Sequence, residues 1–419
     1  MTGSFDPAML TQSNRRRMRV FGEHDRKTLE QFQDVASRAE RAALMADGHV
    51  GYVMPIGGVA AYRDVVSPIG VGVDIACGNA AILTDLMMGD IEDRLEPIAD
   101  EIAGVFGFGL DQPWNESDDA PVDHPLFESE AWESLPVVLR ETLRSRSRTQ
   151  LGTVGGGNHY VDIFEDEGGR VWAGVHFGSR GFGFICAHGF VALAQDRPWT
   201  DLRPRPNMNA EVLIGLDTPL GHDYWAAMNL AGAYAYAGRE WVVRKVVEIL
   251  GGRELDLVHN HHNFAWMETH GGEEFVVVRK GATPAFPAQR GFVGGSMGDR
   301  SVILQGAESS PAAAEALFST VHGAGRVMGR TQAKGKWRKG RCVRPGRVSH
   351  EDMRAATQGV VLRGGDLDEA PQVYRRLEDV LQHQGDTVRT LHTLTPRVVC
   401  MAPARFSHPR GRGAPGEDG

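Results

Sequence analysis

Histidine is the residue type that carries most chemical information in this chain. Several of the 16 stand at the ends of apolar, strand-like segments beside Gly or Asn, in GGGNHYVD, AGVHFGSRG, VHNHHNFAWME and STVHGAGR. A histidine at a strand end, next to a residue that tolerates unusual backbone angles, can turn out of a core into a cleft. The segment VGVDIACGN adds Asp74 and Cys77, which a sharp turn would present together. Asp74, Cys77, His159, His176 and His262 then form a mixed O, S and N donor set suited to a borderline transition metal. The carboxylate favours Mn, whereas the thiolate and imidazoles favour Zn, Fe or Co, and a thiolate can bridge two ions. These residues therefore point to a mono- or dinuclear site whose metal stays open. Taken singly, each is more often a satisfied core histidine or an inert buried thiol. The signal lies in their accumulation.

Two Gly-rich segments, GGSMGDRS (residues 294–301) and HGAGR (residues 322–326), suit phosphate, because closely approaching backbone N–H groups can cradle it. Arg326 and the pair Arg279 and Lys280 add fixed positive charge. From Arg326 to Arg347 the chain is basic, contains Trp337 and has no acidic residue, a pattern that fits tracking of an RNA backbone with one ring for stacking. A solvated loop has the same composition.

The elements that must position these groups follow from periodicity. Residues 25–47 have helical spacing and no breaker. GYVMPIGGVAAY and VSPIGVGVDIACG read as short buried strands punctuated by Gly and Pro. Residues 111–135 are acidic and contain Pro, as a surface excursion would. VWAGVHFGS, EEFVVVRKGA and SVILQG read as strands, and YWAAMNLAGAYAYAGREWVVRKVVEIL as one long helix. No linker divides the chain, so one domain over residues 1–402 with a disordered tail over 403–419 is expected, of α/β class, with central mixed β-structure and flanking helices.

At 419 residues the chain can bury a large core without help from disulfides. A net charge of −9 excludes a uniformly basic, polyanion-attracting surface, so any nucleic-acid contact must rest on local positive charge. Four scattered cysteines, Cys77, Cys186, Cys342 and Cys400, exclude a disulfide framework or a zinc ribbon and suit a reducing compartment. The N-terminal residues lack the apolar stretch of a signal peptide, and no apolar run approaches the ~20 residues that span a bilayer. A soluble, cytoplasmic protein without membrane contact is expected.

VGVDIACG, LGTVGGGNHYVD, VHFGSRG, HHNFA, RKGATPAF, GGSMG, HGAGR and EAPQVY occur in the order and approximate spacing of RtcB-type RNA-splicing ligases. The resemblance covers roughly residues 50 to 400. It implies an α/β fold around a metal cleft, two Mn2+ ions, GTP as cofactor, and joining of RNA 2′,3′-cyclic phosphate or 3′-phosphate ends to 5′-hydroxyl ends. By the resemblance, Asp74, Cys77, His159, His176 and His262 match the metal ligands, and His322 the histidine that is guanylated before GMP passes on as an RNA(3′)pp(5′)G end. Asn158, Asp162, Ser296 and Ser301 match positions that contact GTP, as do Gly323, Ala324, Gly325 and Tyr374. Arg180, Lys280 and Arg326 are assigned to RNA phosphate. RNA is the expected partner, in RNA repair or tRNA splicing, with an archease-like activator as an optional second.

Departures from the family pattern gather at the periphery. Met401 stands where a guanine-contacting lysine is expected, Asp162 replaces Glu, Ala233 and Gly238 replace asparagines, Pro284 replaces Arg and Phe184 replaces His. They leave two other readings open: a metal phosphoesterase that opens cyclic phosphates without joining ends, and a non-catalytic RNA-binding paralogue.

Overall fold

The computed structural model describes residues 17–109, 121–202, 210–338 and 341–404. Its first helix, Arg26–Ala36, starts where Asp25 accepts hydrogen bonds from the backbone N–H groups of Lys27 and Thr28, satisfying donors that a helix start leaves open. It does not run on to residue 47 as the spacing predicts. Arg41–His49 is a strand with an almost wholly buried interior. Its Ala, Leu and Met residues meet core on both faces, and such burial overrides helical propensity. The segment VSPIGVGVDIACG likewise departs from a strand. Val65–Val66 pairs with Ile214–Gly215, and Pro68–Val71 then forms one helical turn, capped by Ser67 Oγ accepting from Gly70 N. Ser before Pro is a helix-start signal.

Two sheets carry the architecture. The five-stranded sheet has the order Met18–Val20, Arg41–His49, Ile56–Tyr62, Glu273–Lys280, Asn263–His270. The eight-stranded sheet runs Arg290–Val293, Ser301–Gly306, Val388–Pro403, Tyr160–Glu165, Arg170–Phe177, Gly78–Met87, Glu254–His261, with Val361–Gly365 added in parallel beside Val388–Pro403. It is nearly closed. Phe292 N donates to Asn260 Oδ1 (2.9 Å) and Arg290 Nη2 to Asp256 Oδ1 (2.9 Å), so side chains join the two end strands.

The expected long helix is present as Pro219–Leu250, ended by Gly251 in the left-handed conformation. Val242, Val243, Val246 and Val247 on it pack with Val175 and Phe177 of the eight-stranded sheet in one core. Each such side chain contributes roughly 1.5–3 kcal/mol when fully buried. The mixed α/β class expected from the sequence is the one observed.

Residues 111–120 of the acidic segment lie outside the described residues. Its second half is no excursion: Phe127 and Trp132 are buried, and Trp132 stacks on Phe182 with ring centroids 5.3 Å apart. Aromatic burial outweighed the acidic composition. The expected tail also lies outside the described residues from position 405, while Pro403 still ends the last strand. Among the described residues no helix is long and apolar enough to cross a membrane.

The functional geometry sits between the sheets. Glu254–His261 closes the eight-stranded sheet and Asn263–His270 edges the five-stranded one, so the chain passes from one to the other at His262.

Candidate functional site

Asp74 and Cys77 lie on the turn that leads into strand Gly78–Met87, where Cys77 N donates to Asp74 O (3.1 Å). Ala76 inside this turn has φ = 60°, a left-handed conformation that costs energy in a non-glycine residue and persists where surrounding structure enforces it. The enforcing groups are visible: Ala76 N donates to Asn263 O (2.7 Å), and the fully buried Arg239 donates through Nη1 to the carbonyls of Ala76 (2.8 Å) and Phe177 (2.6 Å). His176 enters by register, paired with Asn79 on one side and Tyr160 on the other. Gly178 is needed just beyond it, because a Cβ there would lie 2.3 Å from Asp74 Oδ1.

The result is a cluster. Cys77 Sγ is 3.7 Å from His159 Nε2 and 3.6 Å from His176 Nε2, and His159 Nε2 is 3.1 Å from Asp74 Oδ2. Each imidazole is oriented through its other nitrogen. His159 Nδ1 donates to Val154 O (3.0 Å), and His176 Nδ1 to Asn79 Oδ1 (2.7 Å), whose amide nitrogen is committed to Phe292 O (2.8 Å). Both Nε2 atoms therefore face the thiol, and that of His159 also faces Asp74, the arrangement that orients metal-bound histidines. His262 completes the group, its ring stacked 5.2 Å from that of His176 and its backbone N–H donating to Cys77 O (2.8 Å). His262 Nδ1 is buried and has no hydrogen-bond partner among the described residues.

Burial drives the electrostatics. It holds His176 and His262 well below the usual imidazole pKa and pushes the Cys77 thiol well above its own. The rings of His176 and His262 are thus neutral, as metal ligation requires. Imidazoles, a thiol, a carboxylate and a buried ring nitrogen with no partner among the described residues fit a metal ion. Cys77, His159 and His176 alone place three ligand atoms within 4.8 Å of one another.

His322 follows strand Ser319–Val321 and borders the same space, its ring 5.0 Å from that of His262. Asp47 holds it from behind. Asp47 Oδ2 accepts from His322 Nδ1 (2.6 Å), His322 N (3.0 Å) and Gly323 N (3.3 Å). With Nδ1 donating, Nε2 of the neutral ring carries the lone pair.

A cleft opens beyond it. His176, His322, Asn158, Asp162, Ser296 and Met401 line it, as do Gly323, Ala324, Gly325, Arg326 and Tyr374. The two Gly-rich loops meet there through a bridge between Gly294 and Gly323. Ser301 is not a lining residue; its Oγ accepts from Gly295 N (3.0 Å) and braces the loop. Asp162 is buried, Oδ1 has no partner among the described residues, and burial pushes its carboxyl well above the usual range.

The basic stretch looks different in three dimensions. Arg326 donates to Glu369 Oε2 (3.1 Å), Tyr374 OH (2.9 Å) and Asp368 O (2.6 Å). Arg330 pairs with Asp368 (2.8 Å) and Glu369, and Lys334 with Asp366 (2.9 Å) and Asp368 (3.1 Å). Acids from the 366–369 segment thus neutralise the first third of a run that contains none of its own. Arg344 and Arg347 remain exposed. The other two residues assigned to RNA phosphate are also engaged. Arg180 is buried and donates to Thr153 Oγ1 (3.0 Å) and Gly109 O (3.0 Å). Lys280 Nζ donates to the carbonyls of Ile69 (2.9 Å) and Tyr52, and burial brings its pKa down to about 7.

Sequence reasoning missed Asp47, His49, Asn79 and Arg239. Asp47 fell at the end of the segment read as helix, and His49 just beyond it. Asn79 offered one signal, a polar residue just ahead of the apolar run Ala80–Leu83.

Fold and site together define a mixed α/β protein with a histidine-lined cleft that joins a thiol–imidazole cluster to two Gly-rich loops. Residues 29–402 match the family model described as tRNA-splicing ligase RtcB. The chain is 32% identical over 380 aligned residues to the RNA-splicing ligase RtcB of Escherichia coli strain K12, covering 86% of this chain and 89% of that protein. It is 30% identical over 435 to the tRNA-splicing ligase RtcB of Thermococcus kodakarensis, covering 85% and 86%, and 30% identical over 425 to the RNA-splicing ligase RtcB of Mycobacterium bovis, covering 84% and 94%. The chain belongs to the RtcB family.

Proposed function

We propose that this protein is a GTP- and Mn2+-dependent RNA ligase that joins 2′,3′-cyclic phosphate or 3′-phosphate ends to 5′-hydroxyl ends. The observation that carries this reading is His322, fixed by Asp47 with Nε2 free, at the border between the thiol–imidazole cluster and the Gly-rich cleft. The names of the relatives, RNA-splicing and tRNA-splicing ligases, support the substrate class.

Asp74, Cys77, His159, His176 and His262 would hold Mn2+, which when bound supplies the positive charge that neutralises phosphate oxygens. His322 Nε2 attacks the α-phosphorus of GTP, forming an N–P bond as pyrophosphate leaves. Asp47 retains the proton-bearing Nδ1 and stabilises the charge the ring gains. The Gly294–Gly295 and Gly323–Gly325 loops bring backbone close to the phosphates, and Asn158, Ser296 and Tyr374 border the rest of the nucleotide. GMP then passes from His322 to the RNA 3′-phosphate, giving RNA(3′)pp(5′)G. A cyclic end is first hydrolysed to the 3′-phosphate. Attack by the 5′-hydroxyl expels GMP and closes the strand.

The test is self-labelling. With Mn2+ and α-labelled GTP, the wild type is expected to retain label through denaturation and His322→Ala is not. Label from ATP with none from GTP would overturn the nucleotide assignment. A second reading, cyclic phosphate opening without joining, is favoured by Met401, an uncharged side chain in the cleft where the family pattern has lysine. RNA with a cyclic end that yields 3′-phosphate and no joined product would decide for it.

A further inference from the structure

Asp47 orients two imidazoles. Its carboxylate holds His322, and its backbone carbonyl accepts from His49 Nδ1 (3.1 Å), a contact in which only the ring nitrogen can donate. His49 is thereby fixed as the tautomer with its proton on Nδ1 and a bare lone pair on Nε2. Burial, with the neighbouring His322 and Arg375 adding to it, pushes the His49 pKa down to about 4, so the ring is neutral at working pH. His49 lines the cleft, its ring stacked 6.5 Å from that of His322, and Nε2 has no hydrogen-bond partner among the described residues.

A neutral imidazole lone pair beside a reacting phosphate has restricted uses. It repels phosphate oxygens, which carry no proton at neutral pH, and it attracts a hydroxyl. In the proposed reaction the hydroxyl that reacts is the RNA 5′-hydroxyl, which must reach the RNA phosphate that takes GMP from His322.

We infer that His49 Nε2 accepts a hydrogen bond from the RNA 5′-hydroxyl and orients it in the joining step, an inference that rests on the proposed ligase function. In that step O5′ forms a bond to the RNA phosphorus as the bond from that phosphorus to the GMP oxygen breaks. The hydroxyl proton leaves to the departing GMP phosphate through water. His49 takes no part in the attack of His322 on GTP, which involves no substrate hydroxyl.

Two reactions measured side by side separate the claims: labelling of His322 by GTP, and joining of pre-formed RNA(3′)pp(5′)G to 5′-hydroxyl RNA. His49→Ala is expected to slow joining about 100-fold more than it slows labelling, the scale of a misplaced nucleophile. His49→Gln, whose carbonyl oxygen reaches the place of Nε2, is expected to recover joining at least tenfold over His49→Ala. It also serves if the alanine variant fails to fold. Undiminished joining in His49→Ala, equal loss in both reactions, or no recovery by glutamine overturns the inference. A wild type that neither labels nor joins overturns the ligase reading and this inference with it. A wild type that joins pre-formed RNA(3′)pp(5′)G but takes no label from GTP overturns only the nucleotide step.

Discussion

Asp47 Oδ2 lies 2.6 Å from His322 Nδ1, and the same oxygen accepts the backbone N–H groups of His322 and Gly323. One carboxylate therefore sets the ring's tautomer, its orientation and the start of the Gly-rich loop. Asp47 is fully buried, which strengthens each of these bonds relative to water.

Asp47→Asn is expected to lower the rate of His322 labelling by about 100-fold, because an amide that keeps the two backbone bonds no longer enforces a protonated Nδ1. The loss of charge-assisted bonds should also reduce stability by about 1–3 kcal/mol. Label incorporation and chemical denaturation check the two parts separately. Wild-type labelling by the variant would show that the tautomer is set elsewhere.

Gly178→Ala is expected to disrupt the cluster without touching His322. The added Cβ would lie 2.3 Å from Asp74 Oδ1, so the carboxylate must swing away from His159. Adding Mn2+ should raise the melting temperature of the wild type, as a ligand that binds only the folded state does. The rise should be at least halved in the variant. Co2+ gives a second measurement, since its thiolate charge-transfer band reports Cys77 in the coordination sphere. An equal metal-induced shift and band in both proteins would remove Asp74 from the ligand set.

Met401→Lys should sharpen preference for GTP over ATP. Met401 is buried on the wall of the cleft, which also holds Asp162, whose Oδ1 has no partner among the described residues. A lysine there adds a donor for the guanine carbonyl, and a buried site built to pair such a group rejects analogues that lack it. The ratio of labelling rates with GTP and ATP is expected to rise at least tenfold. An unchanged ratio places the base elsewhere.

Lys280 makes stability depend on pH. Its folded pKa is about 7 because burial disfavours the ammonium, against 10.5 for the free side chain. Between those values the unfolded chain binds the proton and the folded chain does not, so this group makes stability rise with pH across that window. Below pH 7 both states are protonated and its effect is constant. The melting temperature of the wild type should therefore climb from pH 7 to pH 9 relative to Lys280→Met. Parallel curves would mean that the ammonium stays charged on its two carbonyls.

Much of the site was legible in the sequence because the residues that carry chemistry are rare types in narrow contexts. Asp74, Cys77, His159, His176 and His262 could be grouped as donors from side-chain chemistry alone, and the structure brings the first four into a network of contacts and stacks His262 on His176. The long helix and the strands ending at Phe177 and Lys280 were equally legible, since each keeps one periodicity over its length.

The sequence by itself determined which groups were available and in what order, down to the Gly positions that let backbone approach a ligand. Only the tertiary structure decided which groups meet. Asp47 and His322 are 275 residues apart, and nothing local to either announces the other. The strand Arg41–His49, which carries Asp47, carries a helix-like pattern and becomes a strand because neighbours bury both of its faces. Arg326, Arg330 and Lys334 read as free cations until Asp366, Asp368 and Glu369 arrive from another segment. The physical reason is common to all three: side-chain identity is local information, whereas burial and charge pairing are set by whatever the fold places within a few ångströms.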